Sequence, residues 1–362
     1  MKKGMLICTG SGKVKNIGDY IQSLVAEVFF DSIDVLVERE KLSEYKSSQK
    51  TLLLMNAWYM WHPENWPPSD DIIPHLTSIH LNFLAKDKML EGAGYEFFKK
   101  HEPIGCRDLL TLDAFKEKGI DAFFSGCLTL ALGEKYKTKN RSDKVYFIDP
   151  YYECISGNRK ISLKNILIPF FYGILNYKKI KPLYSVFKYH TKLSFLEPYL
   201  RRIEKFLHIS AFYRIYSKRF DNEFLYNAIY KTHIVNQKEF ENEDEKLEYA
   251  RELLKKYSSA KLVITSRIHA ALPAIGMDTP TIFITSDFLN KSKDIGRNGG
   301  RFEGLIEFFN ILNYKNNNLY SDKSLPDKIK RDSVIVNNNK HISVKEKLIK
   351  SCYEFVEKYK IT

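Results

Sequence analysis

Residues 260–284, AKLVITSRIHAALPAIGMDTPTIFI, set the reading of the whole chain. Leu262, Val263 and Ile264 form an apolar run suited to a buried strand. The run breaks at Thr265 and Ser266 and resumes as Arg267-Ile268-His269, followed by the small residues Ala270, Ala271 and Ala274. Gly276 stops the helix and Pro280 opens a β-rich run over 281–284. Strand, helix and strand in this order make a crossover, the unit of a parallel sheet. Its turn puts Ser266, Arg267 and His269 at the carboxyl end of a strand and the first turn of a helix, where free N–H groups and the macrodipole favour an anion. Arg267 adds a planar donor fork, and His269 a group that exchanges a proton near neutral pH.

A length of 362 residues exceeds one core of usual size, and two domains are expected. No apolar run is long enough for a membrane-spanning helix. The apolar segment after Met1-Lys2-Lys3-Gly4 is too short for a signal peptide and reads as the first strand. Five scattered cysteines without CxxC spacing argue against a disulfide frame or zinc site and point to the reducing cytoplasm. The net charge of +13 suits an anionic partner, which can be a substrate phosphate, a nucleic acid or an acidic membrane surface.

Residues 4–150 alternate between strand-like segments (4–9, 33–37, 51–55, 78–81, 103–106, 121–124 and 145–148) and helical ones (87–100 and 108–118). Alternation at this spacing predicts an open α/β sheet with ligands at the strands' carboxyl ends. The glycine-rich turn over 10–18 lacks the full dinucleotide fingerprint, so it either lines a ligand cleft or simply joins strand to helix. Asp19 is equally two-sided, a base or hydroxyl ligand on one reading and a first-turn carboxylate on the other. The segment NAWYMWHPENWPPSDD, residues 56–71, holds all three tryptophans; its rings stack on a sugar or pack the loop down.

Between residues 158 and 220 the composition shifts. Fourteen lysines and arginines interleave with aromatics and face only Glu197 and Glu204. This is a helical insertion, read either as a surface for an anionic membrane or as a solvated basic face over an aromatic core. No nucleic-acid module accompanies it. A second α/β unit follows, with a strand over 232–235 and a helix over 244–257, and a polar loop over 287–300 offers Lys291, Lys293 and Arg297. A terminal helix is expected over 344–359. The expected division is 1–155, 156–226, 227–312 and 313–362.

Asn16-Ile17-Gly18-Asp19 after the first strand, Gly105-Cys106-Arg107-Asp108 before a helix, and Ser266-Arg267-Ile268-His269-Ala270-Ala271 together resemble the polysaccharide pyruvyl transferase family. The resemblance spans the two α/β portions and leaves the insertion and tail outside it. It implies two Rossmann-like domains facing a cleft, as in glycosyltransferases of the B type, with no metal and no cofactor. It also implies phosphoenolpyruvate as donor and a sugar of a cell-surface glycan, free or lipid-linked, as acceptor. The Arg-x-His roles carry over to Arg267 and His269. Around them Ser266, Arg107, Lys291 and Lys293 are donor-side candidates, and Asn16, Asp19, Trp58, Tyr59 and Trp61 acceptor-side ones, with Asp19 as base. Where family members often carry a glycine-rich strand end, this chain has Asn56-Ala57-Trp58-Tyr59. A glycosyltransferase using a nucleotide sugar, or a glycan- or membrane-binding protein without catalysis, are the competing readings.

Overall fold

The computed structural model describes residues 1–10, 14–154, 163–189, 198–286, 300–321 and 324–360. Two sheets organise the chain. The first holds β1 (Lys2–Ile7), β2 (Val35–Glu38), β3 (Thr51–Leu54) and β4 (Ile72–His75) in the order β2-β1-β3-β4, all parallel. The second holds β5 (Val145–Ile148), β6 (Ile229–Lys231), β7 (Leu262–Thr265), β8 (Thr281–Ser286), β9 (Asn310–Lys315) and β10 (Asn318–Ser321) in the order β6-β5-β7-β8-β9-β10. Only the β9–β10 edge is antiparallel within it. Parallel strands buried on both faces need continuous apolar runs, and β7 and β8 are buried at every position.

The strand β5 groups in sequence with the first 155 residues, yet it lies in the interior of the second sheet beside β7. Likewise β9 and β10 extend that sheet past residue 312. The helical segment expected over 87–100 is two pieces, Lys86–Met89 and Gly92–Lys100, because Gly92 adopts a left-handed φ of 51° between them.

Helix α1 (Ile17–Ser23) starts at Asn16, whose side chain accepts the Gly18 N–H, and is followed later by α2 (Leu109–Glu117), capped by Asp108 on the Thr111 N–H. The insertion folds as helices, among them α3 (Leu163–Leu175) and the long α4 (Pro198–Tyr216). Phe212 and Tyr216 of α4 bury their rings against Phe147 of β5, so this half of the insertion is an aromatic core. Helices α5 (Glu243–Ser258) and α6 (Ile268–Gly276) flank β7, and α7 (Ile342–Lys358) closes the described chain.

The two sheets share a core. One apolar cluster runs from Met5, Ile17 and Ile21 through Leu128–Leu132 to Ala270, Ala274, Phe283 and Leu348. Residues Val14–Asn16 pair antiparallel with Ile234–Asn236, tying the entry of α1 to the second half of the chain. A Cβ on Gly276 would stand 2.3 Å from the Leu130 carbonyl oxygen, and one on Gly133 would stand 2.0 Å from that of Gly276. Backbone therefore touches backbone at this joint, which only glycine permits. The helix α7 returns to the first half, where Phe355 stacks on His75 and Tyr353 meets Phe29.

Candidate active site

The turn after β7 is pinned on both sides. The Thr265 hydroxyl donates to the Ile148 carbonyl at 2.8 Å and accepts the Arg267 N–H at 2.9 Å, while the Ser266 hydroxyl accepts the Tyr151 N–H at 2.9 Å. Arg267 is thereby held extended as the N-cap of α6, and the first turn of α6 carries His269, which is buried. The Arg267 Nε donates to Asp149 Oδ2 at 2.7 Å, with a third of the arginine side chain open to solvent. Asp149 follows β5 in the left-handed region, φ 42°, a conformation that Asp tolerates better than most residues. Burial would raise its carboxyl, but Arg267 and His233 outweigh burial and hold it below the usual carboxylate range.

His233 knits these parts to α1. Its N–H donates to Asp149 at 2.9 Å, its carbonyl accepts the Ile17 N–H at 2.8 Å, and its ring Nε2 lies 2.8 Å from the Tyr257 hydroxyl. Burial lowers the imidazole to about 4, so the ring is neutral at pH 7. Gly18, in the first turn of α1, passes so close that an added Cβ would meet Asn16 Oδ1 at 3.1 Å, His269 Cβ at 3.3 Å and His233 Nδ1 at 3.4 Å. The Asn-x-Gly-Asp and Arg-x-His segments, some 250 residues apart in sequence, thus abut.

Asp19 is half-buried next to this contact. Burial pushes its carboxyl up, opposed first by Arg39 and then by Asn16, Arg267 and Arg107. Asp19 also lines a recess with Cys8, Gln22, Arg39 and Asn56. Arg39 is buried, with Nε and Nη2 on Glu40 Oε1 at 3.0 and 2.9 Å and its guanidinium 5.2 Å from the Trp58 ring centre. Arg107 is buried beyond the strand Ile104–Cys106, with its Nε 3.5 Å from Asp108 Oδ2. Asp108 in turn pairs with buried His80 at 2.6 Å.

The aromatic segment divides. Tyr59 is fully buried with its ring on Trp66, so it packs the first half of the chain and has no face for an acceptor. Trp58 and Trp61 pair at 4.7 Å, and Trp61 is 65% exposed. Their loop is anchored by Glu40 Oε2, which accepts the N–H groups of Trp61 and His62 at 2.8 and 3.1 Å. Lys291, Lys293 and Arg297 lie outside the described residues.

Sequence reasoning passed over Arg39, Asp149 and His233. Arg39 and Asp149 directly follow the strands β2 and β5, a position where α/β sheets gather ligand groups, and that was the available signal. His233 offered none, because its role depends on a contact across the fold.

A family model for polysaccharide pyruvyl transferase matches residues 86–287, more than half of the chain. The match takes in Arg107, Asp149, His233, Ser266, Arg267 and His269, while Asn16, Asp19 and Arg39 precede it. No curated protein sequence matches the chain. Because this match covers more than half of its length, the chain belongs to the polysaccharide pyruvyl transferase family.

Proposed function

We propose that this site moves the pyruvyl group of phosphoenolpyruvate onto two hydroxyls of one sugar in a cell-surface glycan, giving a ketal and inorganic phosphate. The observation that supports the proposal is the close approach of Gly18 to His269, which brings the helix start carrying Asp19 against the one carrying Arg267 and His269. Phosphoenolpyruvate brings a phosphate and a carboxylate, and its pocket needs two cationic or helix-end subsites. Arg267 with the first N–H groups of α6 is one, with Ser266 preceding it at the turn; Arg107, Lys291 and Lys293 are candidates for the other.

His269 protonates the enol methylene, leaving a methyl group and a cationic C2. One sugar hydroxyl attacks C2, and Asp19 takes its proton. The C2–O bond to phosphate breaks, the second hydroxyl adds, and its proton departs with the phosphate. A base must be ionised to act, so the raised carboxyl of Asp19 makes it a stronger acceptor than an exposed aspartate. Asn16 would hold α1 in place, and Trp58 and Trp61 would offer ring faces to the sugar. We read the architecture as glycosyltransferase B-like, supported by one parallel and one mostly parallel sheet and a terminal helix that crosses back to the first.

Mass spectrometry of a candidate glycan incubated with phosphoenolpyruvate tests this reading. A gain of one pyruvate less water is expected. A hexose gain from a nucleotide sugar would overturn it in favour of a glycosyltransferase.

A further inference from the structure

The insertion carries a surface that the transfer chemistry leaves unused. The helix α3 seats one side on α4, where a Cβ on Gly173 would stand 2.2 Å from Ser210 Oγ and 2.5 Å from Phe206 Cζ. The other side presents Leu163, Leu167, Ile168, Phe171, Ile174 and Leu175, all exposed, with Leu163 at 72%, Phe171 at 58% and Leu175 at 84%. Their spacing is that of one helical face. Tyr199 and Ile203, at the start of α4, are exposed as well. A contiguous apolar face of this kind on a folded protein marks an interaction site.

The charges around it select the partner. Between residues 163 and 189 there is no Asp or Glu, while Lys164, Lys178, Lys179 and Lys181 are exposed, as is Arg202 on α4. An apolar stripe flanked by cations and free of acids complements an anionic lipid surface. With 13 residues α3 is about 20 Å long, against roughly 30 Å of hydrocarbon. No helix among the described residues is long and apolar enough to cross a membrane. The geometry therefore suits a helix lying in the interface. A second copy of the chain fits less well, because a two-fold pairing of this face would bring its own lysines together.

We propose that the exposed face of α3 docks the protein on an anionic bilayer, with the leucines and Phe171 at the acyl boundary and the lysines among the lipid phosphates. The helix α4 couples this face to the site. At its far end the Tyr216 hydroxyl donates to the Tyr151 carbonyl at 2.8 Å, and the Tyr151 N–H donates to Ser266. Docking would hold the Ser266–His269 turn at a fixed place relative to the membrane, whatever group the site transfers.

The test is co-sedimentation of the full chain with vesicles of phosphatidylcholine alone or with phosphatidylglycerol added, at low and physiological salt. Two variants accompany it, Phe171→Glu with Leu175→Glu and Lys178→Glu with Lys179→Glu. All four positions are exposed, and melting temperature checks that each variant folds. Tighter binding to the anionic vesicles by about tenfold or more, weakened by salt and lost by about tenfold in both variants, is expected. Phosphate release with a soluble acceptor should stay at the wild-type rate in the variants. Binding without anionic preference, or retained in the Phe171→Glu, Leu175→Glu variant, would overturn the proposal. So would a wild-type dimer in sedimentation velocity that this variant dissociates, which would assign the face to a second copy.

Discussion

Gly18 and His269 stand in contact across the join of the two halves, with room for a hydrogen on Gly18 and little more. A methyl there requires its neighbours to give by a few tenths of an ångström. Against that, alanine favours a helical backbone over glycine by roughly 1 kcal/mol. Gly18→Ala should therefore fold with stability within about 1 kcal/mol of wild type while kcat falls, because His269 and Asp19 are pushed apart. Gly18→Leu, too large for the contact, should lose activity altogether. Denaturant melts paired with initial rates separate the two effects.

Asp149 orients Arg267 and takes the His233 N–H. Asp149→Asn removes the charge that the guanidinium faces, and a loss of about 1–3 kcal/mol is expected, reduced by the partial exposure of Arg267. Because the Asp149 pKa is depressed, its contribution is present above the usual carboxylate value near 4 and is lost as pH falls through the lower folded value. KM for phosphoenolpyruvate should rise more than kcat falls, which steady-state kinetics with varied donor would show.

Glu40 holds the aromatic loop through two backbone N–H groups and is itself held by Arg39. Glu40→Gln should loosen Trp58 and Trp61 while leaving the donor turn intact. The expected outcome is a higher KM for the glycan, by about tenfold, with KM for the donor unchanged. A fluorescence change at the tryptophans would report the altered loop independently.

Buried His233 and half-buried His75 give the fold a pH dependence. His233, and His75 beneath the terminal helix, are lowered to about 4 by burial, whereas an unfolded histidine titrates near 6.5. The unfolded chain therefore binds more protons between those values, and stability falls as pH drops from about 6.5 towards 4. The loss is on the order of 2 kcal/mol per histidine at pH 5, smaller for half-buried His75. Asp19 works in the opposite sense, since its raised pKa favours the folded state as it protonates. Denaturant midpoints at pH 7.5 and 5 should differ, and His233→Gln should flatten the difference.

The strand–helix–strand reading of 260–284 matches β7, α6 and β8 because each element is local: an apolar run, a polar turn, small residues and a glycine stop. The same logic located most strands of the first sheet. It misassigned β5 to the first half of the chain because sheet membership depends on the partner strand, and β5 pairs with β7, more than 110 residues away. The insertion was legible as helical and basic, but which of its apolar faces are buried was not. The later part of α4 buries its aromatics on β5, and α3 exposes its apolar side. The turn carrying Arg267 and His269 was visible because the junction of a strand and a helix has a local sequence signature. Of the two readings of the aromatic segment, Tyr59 follows the packing one, and sequence did not choose because a ring in a proline-rich loop looks the same whether it packs or binds. Arg39 and His233 act through contacts between distant segments, which composition and spacing do not encode.

The central claim is that the α1 and α6 starts form one site for transfer from phosphoenolpyruvate. Its most direct test is acceptor-dependent phosphate release from phosphoenolpyruvate by the wild type, His269→Gln and Asp19→Asn. Release by the wild type that requires a glycan and falls by about 10²-fold or more in each variant, with both variants folded, is the predicted result. Glycan-dependent release at the wild-type rate in either variant, or no release with any glycan, would contradict it.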